Sequence, residues 1–222
     1  VLEALAKLEG FTYQTYAVPS PGVEMRPQAL DIARNFKADW VITHLFGRSP
    51  SVSIKELSRV QFPMNHVISF VWGFGESDMD AAGWDTAEGY YGLQFAGVGQ
   101  DHQVIRDIKQ MYKDEGKPAP AAMEKTVYYN RGIMWCATHA EGIRKAIEMF
   151  GPNPTSAQVK EAWETIRNFD LGGLLPPLNL TAKDHEGGGM VQVWQVKGGK
   201  FVPVTGWMQG YRDVIEKMVW GG

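Results

Sequence analysis

The chain reads as an α/β protein: a doubly wound, mostly parallel sheet wrapped by helices, followed across a candidate domain crossing by a mainly helical stretch. Three observations predict this. Short β-rich runs alternate with amphipathic helical runs from Phe11 to Phe95, the pattern of a parallel sheet wrapped by helices. The stretch Lys117-Pro118-Ala119-Pro120 is a sharp break in composition between two periodic segments, and so a candidate crossing between lobes. A long helical pattern, an irregular Gly/Pro-rich stretch and a hairpin pattern follow it.

The elements follow in order. Leu2, Leu5 and Leu8 lie at helical spacing, with Gly10 placed to stop the helix. Phe11–Val18 is predicted as a strand, ended by Pro19-Ser20-Pro21-Gly22. A helix over about Arg26 to Lys37 groups Ala29, Ile32, Ala33 and Phe36, with Pro27 in its first turn, where a missing N–H costs nothing. Asp39–Phe46 is apolar enough for a strand buried on both faces. A helix from about Ser51 to Val60, a strand at His66–Trp72 and a strand near Gly89–Phe95 complete the alternation. Asp101 is placed to cap a helix carrying Val104, Ile105, Ile108, Met111 and Tyr112. The long helix covers about Val127 to Phe150, and Thr155 with Gln158 forms a capping box for a helix bearing Val159, Ala162, Trp163 and Ile166. Met190–Val196 and Lys200–Val204 pair across Gly198-Gly199, and a last helix runs from about Met208 to Val219.

With 222 residues the chain buries a core without staples. Its 22 basic and 25 acidic side chains give a net charge of −3, and no run of Lys or Arg exceeds a pair, which argues against a nucleic-acid partner. Apolar stretches are far shorter than the ~20 residues of a spanning helix, so direct membrane insertion is not expected. One cysteine, Cys136, excludes an intramolecular disulfide and a thiolate cage, and its place beside Trp135 in mid-helix reads as a packed thiol.

No catalytic, metal or cofactor site is expected. Gly73-Phe74-Gly75 and Gly97-Val98-Gly99 each lack the third glycine of a dinucleotide fingerprint, and no nucleophile elbow or phosphate loop is present. The five histidines never fall at metal-ligand spacing. Asp184-His185 reads as a loop-structuring pair, because Asp side chains bond local backbone.

Aromatics remain, 8 Trp, 8 Tyr and 10 Phe, and several stand at strand ends. Open α/β sheets bind ligands beyond the carboxyl ends of their strands. Here one strand ends in His44-Leu45-Phe46-Gly47-Arg48 and its neighbour in Phe70-Val71-Trp72-Gly73-Phe74, so two adjacent strand ends offer π faces at one rim. These rings suit an apolar or aromatic ligand.

The runs Ala38–Ile42, Gly83–Tyr91, Tyr128-Tyr129-Asn130-Arg131-Gly132 and Asp184-His185, followed by Val191–Phe201, together resemble the periplasmic solute-binding proteins of branched-chain-amino-acid-type ABC transporters. The resemblance runs over essentially the whole chain, and the order of the motifs is its specific part. It implies two α/β lobes joined by three crossovers. Residues 1–122 and 188–222 would be a ligand-binding lobe II lacking its first strand, and 123–187 a mainly helical portion of lobe I. A complete protein of this type would need roughly 150 residues more, the size of a further domain, and the signal peptide and amino-terminal lobe have no counterpart here. The resemblance further implies a periplasmic protein that closes on a small solute and presents it to a membrane ABC permease. Carried over by position, the ligand contacts fall at His44, Leu45, Phe46, Trp72 and Gly73, with Tyr128 or Tyr129 nearest the hinge. Trp72 stands where relatives that bind aliphatic amino acids place a carboxylate for the ammonium. The expected ligand is therefore an aromatic or apolar organic acid, benzoate-like or phenylpropenoid-like. Its carboxylate would be met largely by first-lobe groups, with Arg48 and Arg131 as local candidates. The alternatives are an amino-acid binder of the same family, an enzyme using His44 or His185 with a nearby Asp, and a ligand-sensing module.

Overall fold

The protein is described by a computed structural model covering residues 1–219. The first three strands in the chain are parallel, β1 (Val41–Thr43), β2 (Val67–Ser69) and β3 (Tyr91–Gln94). The hairpin β4 (Gln192–Lys197) and β5 (Lys200–Pro203) then adds antiparallel to β3, giving one five-stranded sheet in the order β1-β2-β3-β4-β5. Gly198 and Gly199 turn the hairpin at φ 58° and 71°, the left-handed conformation that a tight two-residue loop requires. The sheet is thus mixed, because a chain entering beside β3 and turning in two residues can pair only antiparallel with itself.

The helices are α1 (Leu2–Glu9), α2 (Arg26–Leu30, continued by the wider turns of Asp31–Phe36), α3 (Ser49–Arg59), α4 (Glu76–Ala82), α5 (Gln103–Asp114), α6 (Thr126–Phe150), α7 (Ser156–Trp163) and α8 (Arg212–Val219). Two cores form. The larger packs Ile54 and Leu57 of α3 and Met79 and Ala82 of α4 against Val41, Val67, Trp194 and Val196 of the sheet, with Phe74 and Tyr90 fully buried. The smaller gathers Leu171, Leu174, Leu175 and Leu178 with Ala96, and Val104, Ile133, Met134 and Trp207 pack on it. That core draws residues from both sides of positions 122 and 188.

Several expectations hold closely. Gly10 caps α1 at φ 74°, and Thr155 Oγ1 accepts from Gln158 N while Gln158 Oε1 accepts from Thr155 N, a reciprocal capping box. Others need correction. Phe11–Val18 forms no strand, for no described strand lies alongside it to supply a ladder. It is held instead by Gln14 and Tyr16, whose side chains donate to the Asp31 carboxylate. The strand at Asp39–Phe46 shrinks to three residues and is not buried on both faces, with Ile42 54% exposed at the sheet's open edge. Asp101 does not cap α5; His102 occupies the N-cap position and makes no side-chain cap bond. The last helix begins at Arg212, because Met208 instead bridges Val191. Cys136 is exposed rather than packed.

Gly92 in β3 lies directly against Phe74 of the larger core: a Cβ there would sit 2.0 Å from Phe74 Cγ. Gly92→Ala is expected to cost about 3 kcal/mol or more through overpacking, read as a lowered denaturation midpoint; an unchanged midpoint would mean that Phe74 has room to move.

Candidate ligand-binding site

Loops at the carboxyl ends of β1, β2 and β3 share one rim, and the start of α6 is docked against it. After β2 the chain passes through Phe70 into the tight turn Val71–Gly73. A Cβ on Gly73 would meet Ser69 Oγ at 2.4 Å, with Leu45 O at 3.4 Å, so glycine lets the loops after β1 and β2 abut. His44 lies edge-on to Phe70 at 5.4 Å between ring centroids. Leu45 is half-buried, whereas Phe46 is 72% exposed and projects from the rim.

The turn is pinned by α6. Tyr128 Oη donates to Trp72 O at 2.8 Å, and the Tyr128 ring lies against Gly75, where a Cβ would meet it at 2.5 Å. Glu76, at the start of α4, holds α6 from the other side: its carboxylate accepts from Thr126 Oγ1 at 2.7 Å and from Val127 N at 3.2 Å. A carboxylate at a helix N-terminus satisfies otherwise orphaned N–H groups and complements the helix dipole. Asn130, also on α6, donates to Gly97 O and Gly99 O and so ties in the loop after β3.

The sequence motif at 128–132 therefore splits by face. Tyr128 reaches the rim, while Tyr129 is half-buried and has Tyr112 of α5 as its titratable neighbour. Arg131 enters the centre of the site with 1% of its surface exposed. Its Nη2 donates to Val71 O at 2.5 Å and Gln94 Oε1 at 2.6 Å. Rings enclose it, its Cζ lying 4.7 Å from the Phe95 centroid, 5.3 Å from Tyr128 and 5.4 Å from Trp72. Trp135, one turn further along α6, packs against Trp72 and Phe95 at 6.2 and 6.1 Å. Position-by-position reading missed Phe95 and Trp135; the signal for them was the aromatic at the end of β3 and the i, i+4 spacing from Arg131.

Burial governs the electrostatics. It pushes the Arg131 guanidinium down to about 10, still charged at neutral pH, with Asp78 and Glu76 among the charges opposing the shift. It raises the Tyr128 hydroxyl to about 12, reinforced by Asp78. Asp78, whose Oδ2 accepts from Gly75 N at 2.9 Å, is raised to about 6 by burial, against the hydrogen bonds from Gly75 and Tyr128 and the charge of Arg131. These groups shape a wall of aromatic faces around engaged charges. Among the described residues no group of three or more His, Cys, Asp or Glu side chains could hold a metal ion. His185 bonds Glu164 at 2.9 Å, and Asp184 accepts from the backbone N–H groups of Glu186, Gly187 and Gly188, the loop-structuring role expected of it. A groove of about 360 Å³ begins at Phe95 and Trp135 and runs between α6, α7 and the 175–191 segment, past Trp163 and Leu178.

A family model described as a periplasmic binding protein matches residues 1–200. Among solved structures, an ABC transporter permease from the Pseudomonas fluorescens group is 30% identical and superposes with a TM-score of 0.87 over 99% of this chain and 55% of its own. A branched-chain amino acid ABC transporter from Thermus thermophilus with bound valine is 22% identical at a TM-score of 0.80, over 99% of this chain and 58% of its own. An ABC transporter solute-binding protein from R. palustris in complex with benzoate is 18% identical at 0.59, over 84% and 48%. The chain thus spans about half the length of these structures. Among curated proteins no sequence matches.

A buried acid with a raised pKa is more costly when ionised in the folded state than in the unfolded chain, so Asp78 penalises stability increasingly as pH rises from about 4 to 6 and fully above that. Asp78→Asn should remove that pH-dependent part. Its stability relative to the parent is expected to rise between pH 4 and 7 by up to about 3 kcal/mol, at ~1.4 kcal/mol per pKa unit. Urea titrations across that range measure it, and a flat difference would contradict the placement of Asp78.

Proposed function

We propose that this chain, which belongs to the periplasmic binding protein family and shares its fold with branched-chain amino acid and leucine-binding transport proteins, forms part of the solute cleft of such a protein and takes an aromatic or apolar organic acid of the benzoate or phenylpropenoid class. The family consists of solute-binding transport proteins, not enzymes. The observation that carries the ligand class is the ring wall of Trp72, Phe95, Tyr128 and Trp135 at the carboxyl end of the sheet. Trp72 and Tyr128 are 37% and 38% exposed, large flat surfaces that apolar burial by a ligand would cover. The fold does not choose the ligand, since it holds valine in one solved structure and benzoate in another. The wall therefore has to.

In this reading His44, Leu45, Phe46, Trp72, Gly73 and Tyr128 face the solute, and Tyr129 supports the helix behind them. Residues 1–122 with 188–222 act as one lobe and 123–187 as part of the other, their packing shared through Ala96, Val104 and Trp207. Closure between lobes excludes water, and the closed form is what a membrane permease meets in the periplasm. No helix among the described residues is long and apolar enough to cross a membrane.

The second reading, an amino-acid ligand, is favoured by the acidic pair Glu76 and Asp78 beside the rings. Both carboxylates are already engaged, Glu76 by Thr126 and Val127, Asp78 by Gly75. Calorimetric titration of the protein, expressed with every residue its gene encodes, separates the two. Benzoate and cinnamate are expected to bind more tightly than leucine or valine, and Trp72→Ala should weaken the aromatic acids by roughly ten-fold, the worth of a buried stacking contact. Tight leucine binding with no response to aromatic acids would overturn the proposal.

A further inference from the structure

Three rings close around a cation that the protein itself supplies. The Arg131 guanidinium stands within 5.4 Å of the Phe95, Tyr128 and Trp72 centroids, its Nη2 serves Val71 O and Gln94 Oε1, and Nε and Nη1 have no hydrogen-bond partner among the described residues. Asp78 and Glu76 are the acids whose charge it feels. Take the guanidinium away, and what is left is three π faces, a carbonyl oxygen, an amide oxygen and a buried carboxylate close by. Every one of these is electron-rich, and together they make the set that receives an organic cation. The two outer walls of this cage, Trp72 and Tyr128, are also the half-open surfaces of the rim.

We propose that Arg131 is a specificity-determining residue of this wall: its guanidinium fills the wall's cation site, so that anionic aromatic ligands are accepted and ligands carrying an amine are turned away. The inference rests on reading the rim as the solute site. A ligand ammonium brought against these rings would meet a like charge a few ångströms behind them and would find the acceptors Val71 O and Gln94 Oε1 already occupied. A carboxylate or the electron-rich face of a benzoate ring meets rings whose far side is already polarised by a cation. Arg48, the other arginine near the rim, cannot play this part. It is exposed, in the turn ahead of α3, and no ring stacks on it among the described residues.

The test titrates the protein, expressed with every residue its gene encodes, and its Arg131→Ala, Arg131→Lys and Gln94→Glu forms with benzoate, benzamide and benzylammonium. The parent is expected to prefer benzoate to benzylammonium. Arg131→Ala should bind benzylammonium roughly ten-fold more tightly than the parent does, the scale of a desolvated cation–π contact. Arg131→Lys keeps a cation in place and should preserve the parent's order of ligands. Gln94→Glu pairs the guanidinium with a carboxylate and should lower benzoate affinity relative to benzamide by a similar factor. A folded Arg131→Ala protein that gains no affinity for benzylammonium overturns the proposal, as does an inverted order in Arg131→Lys. Should Arg131→Ala fail to fold, an unchanged benzoate-to-benzamide ratio in Gln94→Glu overturns it equally. A parent that binds no aromatic acid, alongside an Arg131→Ala form that does capture benzylammonium, defeats the ligand class proposed above while upholding the role of Arg131.

Discussion

Burying a guanidinium normally costs several kcal/mol, because no protein interior solvates a charge as water does. Arg131 meets that cost with two hydrogen bonds from one nitrogen and three aromatic faces around the rest. Each ring at such distances contributes about 0.5 to 2 kcal/mol, more as water is excluded. The consequence is mechanical as well as energetic. Val71 belongs to the turn after β2, Gln94 to the end of β3, and Arg131 to the second turn of α6, so one side chain locks three elements at one rim. Tyr128, bonded to Trp72 O, and Trp135, packed on Trp72 and Phe95, hold the same rings to α6 from either side of Arg131.

Neighbouring contacts reinforce this arrangement. Glu76 and Tyr128 exchange roles across the same junction, the carboxylate of α4 satisfying the start of α6 and the hydroxyl of α6 satisfying the carbonyl of Trp72. Gly73 and Gly75 allow these backbones to approach within a distance that a side chain would forbid. The rim loops and the start of α6 are thereby joined into one unit, so a force on the rings would reach the helix and the sheet together.

Much of the fold was legible in the chain. Periodicity placed α3 and α6 within a residue or two, and the Gly198-Gly199 turn and the Thr155/Gln158 box were read correctly, whereas α7 stops at Trp163, short of Ile166, and β1 and β2 end at Thr43 and Ser69, so that the aromatics expected at their ends stand in the loops just beyond. These features depend on contacts within a few residues, which the local sequence encodes directly. The errors fell where a distant partner decides. Phe11–Val18 has strand composition, yet a strand exists only beside another, and none lies alongside it among the described residues. Ile42 and Cys136 look like core residues by type and are exposed by position.

The candidate site divides in the same way. Sequence alone determined that aromatic side chains stand at the carboxyl ends of neighbouring strands and that Tyr128, Tyr129 and Arg131 share a helix start, because strand ends and helical spacing are local properties. It left Tyr128 and Tyr129 unresolved, and likewise Arg48 and Arg131, since each choice turns on which face of a helix or loop meets the sheet. Only the tertiary structure decided these, by docking α6 so that Tyr128 and Arg131 point at the rim, Tyr129 turns toward α5 and Arg48 stays in solvent. The physical reason is that a buried charge and a ring stack are properties of a surrounding shell, and that shell is assembled from segments far apart in the chain.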